Sequence, residues 1–305
     1  MKQTSILYFK KFKSLIKKNI NGHLYNYRLS KLRLKKNNIV YLGTLPRSGT
    51  HLMQILLANA IVLKLKEKRK KNETLNFPVD LKKTSKLMPN NWYTSYFNYK
   101  KFGLKSITGL NYIKTNRYFG DKISDITRTH SFYLPEFFNG SKVIHLRRNP
   151  LDFFTSIFFY KYKKRGNTKL SSPYEVYIEY RDYYINLINS YDEAQRKCKS
   201  NIFSTSYENL ILNKGDVLHQ ILLFLDIDLA IDKCNQAADA SSIQKVKKHE
   251  NSGQKVNPTA NDLKGSFINS GSIGEWQKYF NEQKFSEVKK YFKRYDLDLE
   301  NFHLY

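Results

Sequence analysis

A short polar turn, Pro46-Arg47-Ser48-Gly49-Thr50-His51, holds the residues whose types and spacing are best suited to chemistry. Backbone N–H groups at the start of a helix lack hydrogen-bond partners and carry partial positive charge, so a turn opened by Gly49 can wrap a phosphate. Ser48 and Thr50 can add hydroxyl hydrogen bonds, and Arg47 adds a permanent positive charge. The same residues also suit an ordinary polar turn in which Ser or Thr caps the helix. The turn alone therefore leaves both alternatives open.

The elements around this turn predict an α/β fold. The run Ile39-Val40-Tyr41-Leu42-Gly43 is typical of a buried parallel strand, and an apolar-rich helix follows from His51 to about Leu65. The predicted later elements are strands at Ser124–His130, Lys142–Arg147 and Asn201–Ser206 and helices at Pro150–Lys163, Pro173–Lys197, Asp216–Leu225, Leu229–Lys248 and Gly274–Arg294. Residues 66–100 are predicted to form a loop with a short helix, and residues 250–270 a mobile loop or lid. Strands that alternate with helices predict a single domain with a central parallel sheet flanked by helices.

Composition limits the classes of partner. The chain has 305 residues, a formal net charge of +27 and 41% hydrophobic residues, so it can form a sizeable core and should attract anions. Residues 1–37 contain eleven Lys or Arg and no Asp or Glu, which predicts a basic leader before a domain at 38–305. A basic amphipathic helix in this leader could contact an anionic membrane surface. No apolar run is long enough for a signal peptide or a membrane span, so we expect a cytoplasmic protein.

Two other classes of site are disfavoured. A Walker A loop needs G-x-x-x-x-G-K-[ST], whereas Gly43 and Gly49 are one residue too far apart and Thr50 stands where the Lys should be. This argues against a nucleotide kinase. Cys198 and Cys234 have neither metal-binding spacing nor a disulfide pattern, and no acidic cluster suits magnesium, so we expect no metal.

Two motifs together resemble a known family. The heptad Pro46-Arg47-Ser48-Gly49-Thr50-His51-Leu52 is similar to the 5′-phosphosulfate loop of sulfotransferases that use 3′-phosphoadenosine 5′-phosphosulfate (PAPS). The segment 142–156 resembles the family's 3′-phosphate motif, a strand followed by R-N-P-x-D-x-x-x-S. Arg148 ends that strand and can fork onto a phosphate, and Ser156 lies two turns into the next helix. The resemblance covers about residues 38–295 and implies a P-loop NTPase-like sulfotransferase fold with PAPS as co-substrate and no metal.

The resemblance implies further cofactor-binding residues. Tyr207, in a strand end similar to Y-E-[DN]-L, is the candidate for stacking on adenine, although a plain core tyrosine is an equal alternative. Ser241 begins a weak match to the family's adenine-side helix. Residues 267–280 resemble R-K-G-x-x-G-[DE]-W-K-x-x-F and keep Gly271, but the Arg-Lys pair that grips the 3′-phosphate is replaced by Asn269 and Ser270. Either Lys264 or another lysine supplies the missing charge, or the affinity for the 3′-phosphate is weaker.

The candidate catalytic residues are His130 and Arg47. His130 ends a predicted strand and resembles the family's K-[TS]-H strand end, where the histidine takes the proton from the acceptor. A neutral imidazole is a natural general base near neutral pH. Arg47 and the amides of residues 48–51 would stabilise charge on the 5′-phosphate, while Arg148 and Ser156 hold the 3′-phosphate. The resemblance implies that residues 72–123 and 160–175 line the acceptor pocket. These stretches are rich in Tyr, Phe, Asn and Lys, so the acceptor hydroxyl or amine is expected on a small molecule that is a carbohydrate or is lipid-linked.

Two functions remain as alternatives. The charge of +27 and the many Tyr and Phe residues would suit a nucleic-acid-binding protein, but the chain contains no known nucleic-acid-binding motif, so no nucleic acid is expected. The replacement of the Arg-Lys pair by Asn269 and Ser270 would suit a catalytically degenerate protein that only binds PAPS or another nucleotide.

Overall fold

The fold was analysed in a computed structural model, which describes residues 39–68, 77–78, 94–98, 103–108, 125–130, 132–133, 138, 140–164, 166, 169–197, 201–251 and 271–302. The predicted leader at 1–37 lies outside the described residues, as does the predicted lid except for residues 250 and 251, which end a helix. Within the described residues no helix is both long and apolar enough to cross a membrane.

A four-stranded parallel sheet forms the centre of the domain. Its strands are β1 (Ile39–Thr44), β4 (Asp125–Thr129), β5 (Lys142–Arg147) and β6 (Ile202–Ser206), in the order β4-β1-β5-β6. The register pairs Gly43 with Thr129 on one side of β1 and Thr44 with Leu146 on the other. Because the strands are parallel, all four carboxyl ends lie at one edge of the sheet.

Helices cover both faces of this sheet. The helices are α1 (Thr50–Lys68), α2 (Pro150–Ile157), α3 (Pro173–Lys197), α4 (Tyr207–Leu212), α5 (Lys214–Phe224), α6 (Ile231–Ala240), α7 (Ile243–Asn251) and α8 (Glu282–Lys293). Val40 and Leu42 pack with α1, α5 and α6, whereas Tyr41 between them packs with α2, α3 and α8. Successive strand residues point to opposite faces, which explains this alternation. The predicted single α/β domain with a central parallel sheet flanked by helices is confirmed.

The two ends of the range 66–100 differ from the predicted loop with a short helix. Lys66–Lys68 extend α1, and β2 (Thr94–Asn98) pairs with β3 (Gly103–Thr108) in an antiparallel hairpin. Between them only residues 77 and 78 belong to the described part of the chain. Tyr96 and Phe97 favour a strand, and four residues between the strands is a common hairpin spacing. The many lysines before this segment concealed that signal in the sequence.

Three predicted helices are also divided. The helix predicted at Pro150–Lys163 becomes α2 and a π-helical segment, Phe158–Lys164. The helix predicted at Leu229–Lys248 breaks between α6 and α7, where the Ser241 hydroxyl donates to the carbonyl of Ala237 at 2.7 Å. The last helix is a 3₁₀ turn at Glu275–Lys278 followed by α8, which Asn281 caps by accepting a hydrogen bond from the Lys284 amide. Side-chain bonds to the backbone end helices in ways that hydrophobic periodicity does not reveal.

Ser241 links two helices through a buried hydrogen bond, and its removal should destabilise the fold. The side-chain amide of Asn59 in α1 donates to the Ser241 hydroxyl at 3.0 Å, and Ser241 is fully buried. Ser241→Ala removes that acceptor, so we expect a loss of about 1–3 kcal/mol in the free energy of unfolding, measured by urea denaturation. Ser286→Ala, on the exposed face of α8, should change it by less than about 0.5 kcal/mol. Equal stabilities of the two variants would contradict the expectation.

Candidate active site

The carboxyl edge of the sheet gathers the main sequence-predicted site residues. The predicted phosphate turn follows β1, His130 follows β4, Arg148 follows β5 and Tyr207 follows β6. In the strand order β4-β1-β5-β6, the next sheet strand after β1 is β4, on one side, whereas the next after β5 is β6, on the other side. The gap between β1 and β5 is therefore a topological switch point. Ligands of open α/β sheets bind at such a point.

The turn after β1 has a backbone shaped for an anion. Arg47 and Gly49 both have positive φ, 67° and 90°, on either side of Ser48. Alternation of this kind makes a concave surface lined by N–H groups. Ser48 is fully buried and its hydroxyl points to the carbonyls of Leu45 at 2.6 Å and Leu146 at 3.2 Å, so it ties the turn to β5. The Ser48 amide also donates to the Leu45 carbonyl, at 3.2 Å, so the candidate anion donors are the other backbone amides of the turn.

Gly49 is required by a close approach as well as by its φ. A Cβ at this position would lie 2.5 Å from Cδ2 of the Tyr207 ring. The turn after β1 and the start of α4 therefore contact each other directly. Thr50 begins α1 with a buried hydroxyl 2.8 Å from the Thr44 hydroxyl, and His51 follows it at a partly exposed position.

The two family-like motifs meet at a pair of arginines. Arg148 donates from Nη1 to the carbonyl of Arg47 at 2.8 Å, and Arg47 donates from Nε to the Ser156 hydroxyl at 3.3 Å. The Tyr160 ring lies under the Arg47 guanidinium, with 4.7 Å from Cζ to the ring centroid. Arg147, by contrast, pairs with Asp192 at 2.7 Å on the other side of the strand. The structure thus separates the two adjacent arginines and brings only Arg148 to the phosphate turn.

Tyr207 lies between Arg148 and the turn. Its ring centroid is 4.5 Å from the Arg148 Cζ, and its hydroxyl donates to the carbonyl of Gly271 at 2.7 Å. Burial raises the pKa of the Tyr207 hydroxyl, so it stays protonated as a donor. Its predicted role in stacking on adenine stays a prediction.

The segment 271–276 is fixed at the site by Asp152. The Asp152 carboxylate accepts hydrogen bonds from the amides of Gly274 at 2.7 Å and Trp276 at 3.1 Å. Arg148 adds a weaker bond from Nη2 to the carbonyl of Ser272 at 3.4 Å. Burial raises the pKa of Asp152, although the nearby Arg148 opposes this. In the sequence Asp152 is visible only as the Asp of the R-N-P-x-D-x-x-x-S motif, because its partners are more than 120 residues away.

His130 is oriented by the backbone of β1. Its Nδ1 lies 2.7 Å from the carbonyl oxygen of Thr44 and 3.0 Å from the Thr44 hydroxyl. A carbonyl oxygen can only accept, so in the neutral imidazole the proton is on Nδ1 and Nε2 is the basic nitrogen. The Tyr183 hydroxyl also donates to the His130 carbonyl at 3.1 Å. The strand end therefore presents a histidine in the tautomer that a general base needs.

A buried carboxyl that the sequence prediction missed lies behind Arg148. Glu208, at the start of α4, accepts a hydrogen bond from the Asn149 amide at 3.1 Å and is only 2% exposed. Burial raises its pKa to about 7, against the opposing effect of Arg148. The sequence showed Glu208 only as part of the Tyr207 motif, and a single buried glutamate has no periodic signal.

The other predicted residues are distributed as follows. Ser241 lies in the helix layer, bonded to Asn59, and its role in cofactor binding stays a prediction. Asn269, Ser270 and Lys264 lie outside the described residues, whereas Gly271 is described and has a φ of 71°. Among the described residues no group of three or more His, Cys, Asp or Glu side chains could hold a metal ion.

A turn with positive φ at Arg47 and Gly49, at the switch point of a parallel sheet, is typical of α/β proteins of the phosphate-loop class. A family model described as the sulfotransferase domain matches residues 38–304. The chain therefore belongs to the family of PAPS-dependent sulfotransferases, which confirms the resemblance. A search of curated proteins found no match.

Solved structures support the same fold. A retinol dehydratase in complex with retinol and PAP is 17% identical with a TM-score of 0.58, over 85% of this chain and 81% of that one. A mouse sulfotransferase complexed with PAP is 16% identical with a TM-score of 0.54, over 85% of this chain and 83% of that one. At these identities the similarity concerns the fold.

Asp152 should control nucleotide affinity by holding the segment 271–276. Asp152→Asn replaces one acceptor oxygen with an NH₂ group that faces a backbone donor, so the segment loses one of its two bonds to α2. A hydrogen bond to a charged group is worth about 1.5–3 kcal/mol, so the Kd for 3′-phosphoadenosine 5′-phosphate (PAP) should rise about tenfold or more in calorimetry. Asp216→Asn, at an exposed position in α5, is the matched control and should bind normally. Unchanged affinity in Asp152→Asn would contradict this role.

Proposed function

We propose that this protein transfers the sulfuryl group of PAPS to a hydroxyl or amine of a carbohydrate or lipid-linked acceptor, with His130 as the general base. The observation that carries the proposal is the hydrogen bond between the His130 Nδ1 and the Thr44 carbonyl, at 2.7 Å. This bond gives the imidazole the tautomer in which Nε2 can accept a proton. The same strand, β1, leads directly into the anion-binding turn.

The residues of the site fit the two anionic ends of PAPS. The turn with positive φ at Arg47 and Gly49 suits the 5′-phosphosulfate, and Arg148 with Ser156 suits the 3′-phosphate. Arg148 has five N–H donors, and among the described residues only two of them are used, for the carbonyls of Arg47 and Ser272. Its Nε is buried and has no hydrogen-bond partner among those residues. A buried cation with unused donors is the feature that a phosphate would satisfy.

The chain's own residues account for the requirements of the transfer. PAPS supplies an activated sulfuryl group when it is bound. His130 accepts the acceptor's proton at Nε2, and its Nδ1–H keeps its bond to the Thr44 carbonyl while the ring is positively charged. Arg47 and the remaining amides of the turn would stabilise negative charge on a 5′-phosphate oxygen as the bond to sulfur breaks. Transfer then depends on correct positioning, which the fixed strand end and turn provide.

Aromatic side chains beside His130 support the proposed acceptor class. The Phe132 and Tyr183 rings lie 6.0 Å apart between centroids, and Tyr183 bonds to the His130 backbone. Tyr160 covers Arg47, and Phe159 next to it contacts Tyr279. Aromatic faces with polar tips bind apolar rings and sugar faces well. Two similar structures contain retinol or androsterone, which are lipid alcohols.

His130→Ala should abolish transfer and leave nucleotide binding intact. Loss of a general base costs about 10²–10⁴-fold in rate, whereas the PAP-binding residues stay in place. The measurement is radiolabelled sulfate transfer, with PAP affinity by calorimetry as the second readout. His219→Ala is the control, because His219 bonds to the Leu229 carbonyl in the helix layer rather than at the strand ends. Transfer at the wild-type rate in His130→Ala would disprove the assignment.

The acceptor class requires a separate experiment. Purified protein with PAPS is incubated with a library of carbohydrates, glycolipids, sterols, phenols and amines, and mass spectrometry detects the gain of one sulfate. We expect products among the carbohydrates or lipid-linked acceptors. Products only among simple phenols would overturn the proposed acceptor. The absence of any product, together with no thermal shift on addition of PAPS, would overturn the enzymatic function.

A further inference from the structure

Glu208 is a buried ionisable group that the proposed reaction does not use. One carboxyl oxygen, Oε1, holds the amide of Asn149, the residue that follows Arg148. The other oxygen, Oε2, is buried without a hydrogen-bond partner among the described residues. A buried carboxylate oxygen without a donor is costly when ionised and much less so when protonated. The position therefore favours a carboxyl that gains and loses a proton.

Few charged groups act on Glu208. Arg148 and the backbone amides of Glu208 and Asn149 favour the ionised form of the carboxyl, and Asp152 disfavours it. Tyr207 precedes it in α4, and its hydroxyl stays neutral because burial raises its pKa. Burial outweighs the attraction to Arg148 and raises the pKa of Glu208 to about 7. The carboxyl is thus close to half ionised at neutral pH before any anion is bound.

We propose that Glu208 takes up a proton from solvent when an anionic nucleotide binds beside Arg148, and that nucleotide affinity therefore falls as the pH rises above neutrality. This inference rests on the proposed binding of the 3′-phosphate by Arg148. A phosphate at Arg148 places negative charge near Glu208 and competes with it for the same cation. The bound state then favours the neutral carboxyl, whose proton comes from the buffer.

The sign of the pH effect follows from linkage. Below pH 7 Glu208 is largely protonated in the free protein, so nucleotide binding is accompanied by little proton uptake. The ionisation of Glu208 then makes the nucleotide affinity depend only weakly on pH. Above pH 7 the free protein has lost the proton and must regain it on binding. The affinity should then fall by up to about tenfold per pH unit until the pH reaches the higher pKa of the bound state. The second pKa of a phosphate, about 6, lies below this range.

The test is calorimetry with PAP at pH 8 in HEPES and in Tris, which differ in ionisation enthalpy. The difference between the observed enthalpies gives the number of protons taken up. We expect close to one proton in the wild type and close to none in Glu208→Gln, which keeps the acceptor for the Asn149 amide and matches the protonated carboxyl in shape. Glu193→Gln, which removes an exposed carboxylate from the end of α3, should behave like the wild type.

Each outcome is decisive. PAP binding without proton uptake in the wild type would overturn this inference and leave the proposed function intact, whereas no PAP binding would overturn both. Uptake that persists in Glu208→Gln would assign the proton to another group. If Glu208→Gln does not fold, NMR of wild-type protein labelled with ¹³C at the glutamate carboxyls replaces it. One carboxyl should then change from ionised to protonated on addition of PAP at pH 8, and the absence of such a change would overturn the inference.

Discussion

The buried guanidinium of Arg148 is the contact on which the rest of the site depends. It bonds to the carbonyl of Arg47 in the turn and to that of Ser272, and its plane covers the Tyr207 ring. The Tyr184 hydroxyl holds the backbone of Arg148 from α3 at 2.6 Å. Segments that are far apart in sequence therefore meet around one permanent positive charge.

A buried cation needs negative partners, and two carboxyl groups, those of Asp152 and Glu208, lie near the Arg148 guanidinium. Asp152 and Glu208 lie close enough to affect each other's ionisation, and burial raises the pKa of both. Asp152 accepts hydrogen bonds from two backbone amides of a distant segment, whereas the backbone amides that favour the ionised form of Glu208 are its own and that of Asn149. This difference separates a carboxylate that fixes a segment from one that is poised to change its charge. The net charge of +27 describes the surface of the chain but says little about this local balance.

Much of the fold could be predicted from the sequence, because it depends on local signals. The strand at Lys142–Arg147 and the helix at Pro173–Lys197 were predicted with the bounds that the structure shows, since a short β-branched run that ends before Asn-Pro and a long amphipathic helix are both strong local patterns. The ends of the strands also placed the turn and His130 at one edge of the sheet. Asp152 and Glu208 could not be predicted in their roles, because their partners lie far away in the sequence. The break at Ser241 could not be predicted for a different reason: it depends on one local hydrogen bond, from the Ser241 hydroxyl to the carbonyl of Ala237, which hydrophobic periodicity does not reveal.

The hydrogen bonds of Thr44 make two neighbouring strands a single unit. Its carbonyl orients His130 beyond β4, and its hydroxyl contacts Thr50 at the start of α1. Thr44 therefore fixes the positions of both the imidazole and the turn after β1. A shift of one residue in the pairing of Gly43 with Thr129 would displace both at once. Any transplant of this chemistry into another scaffold would therefore have to carry the two strands together with their register.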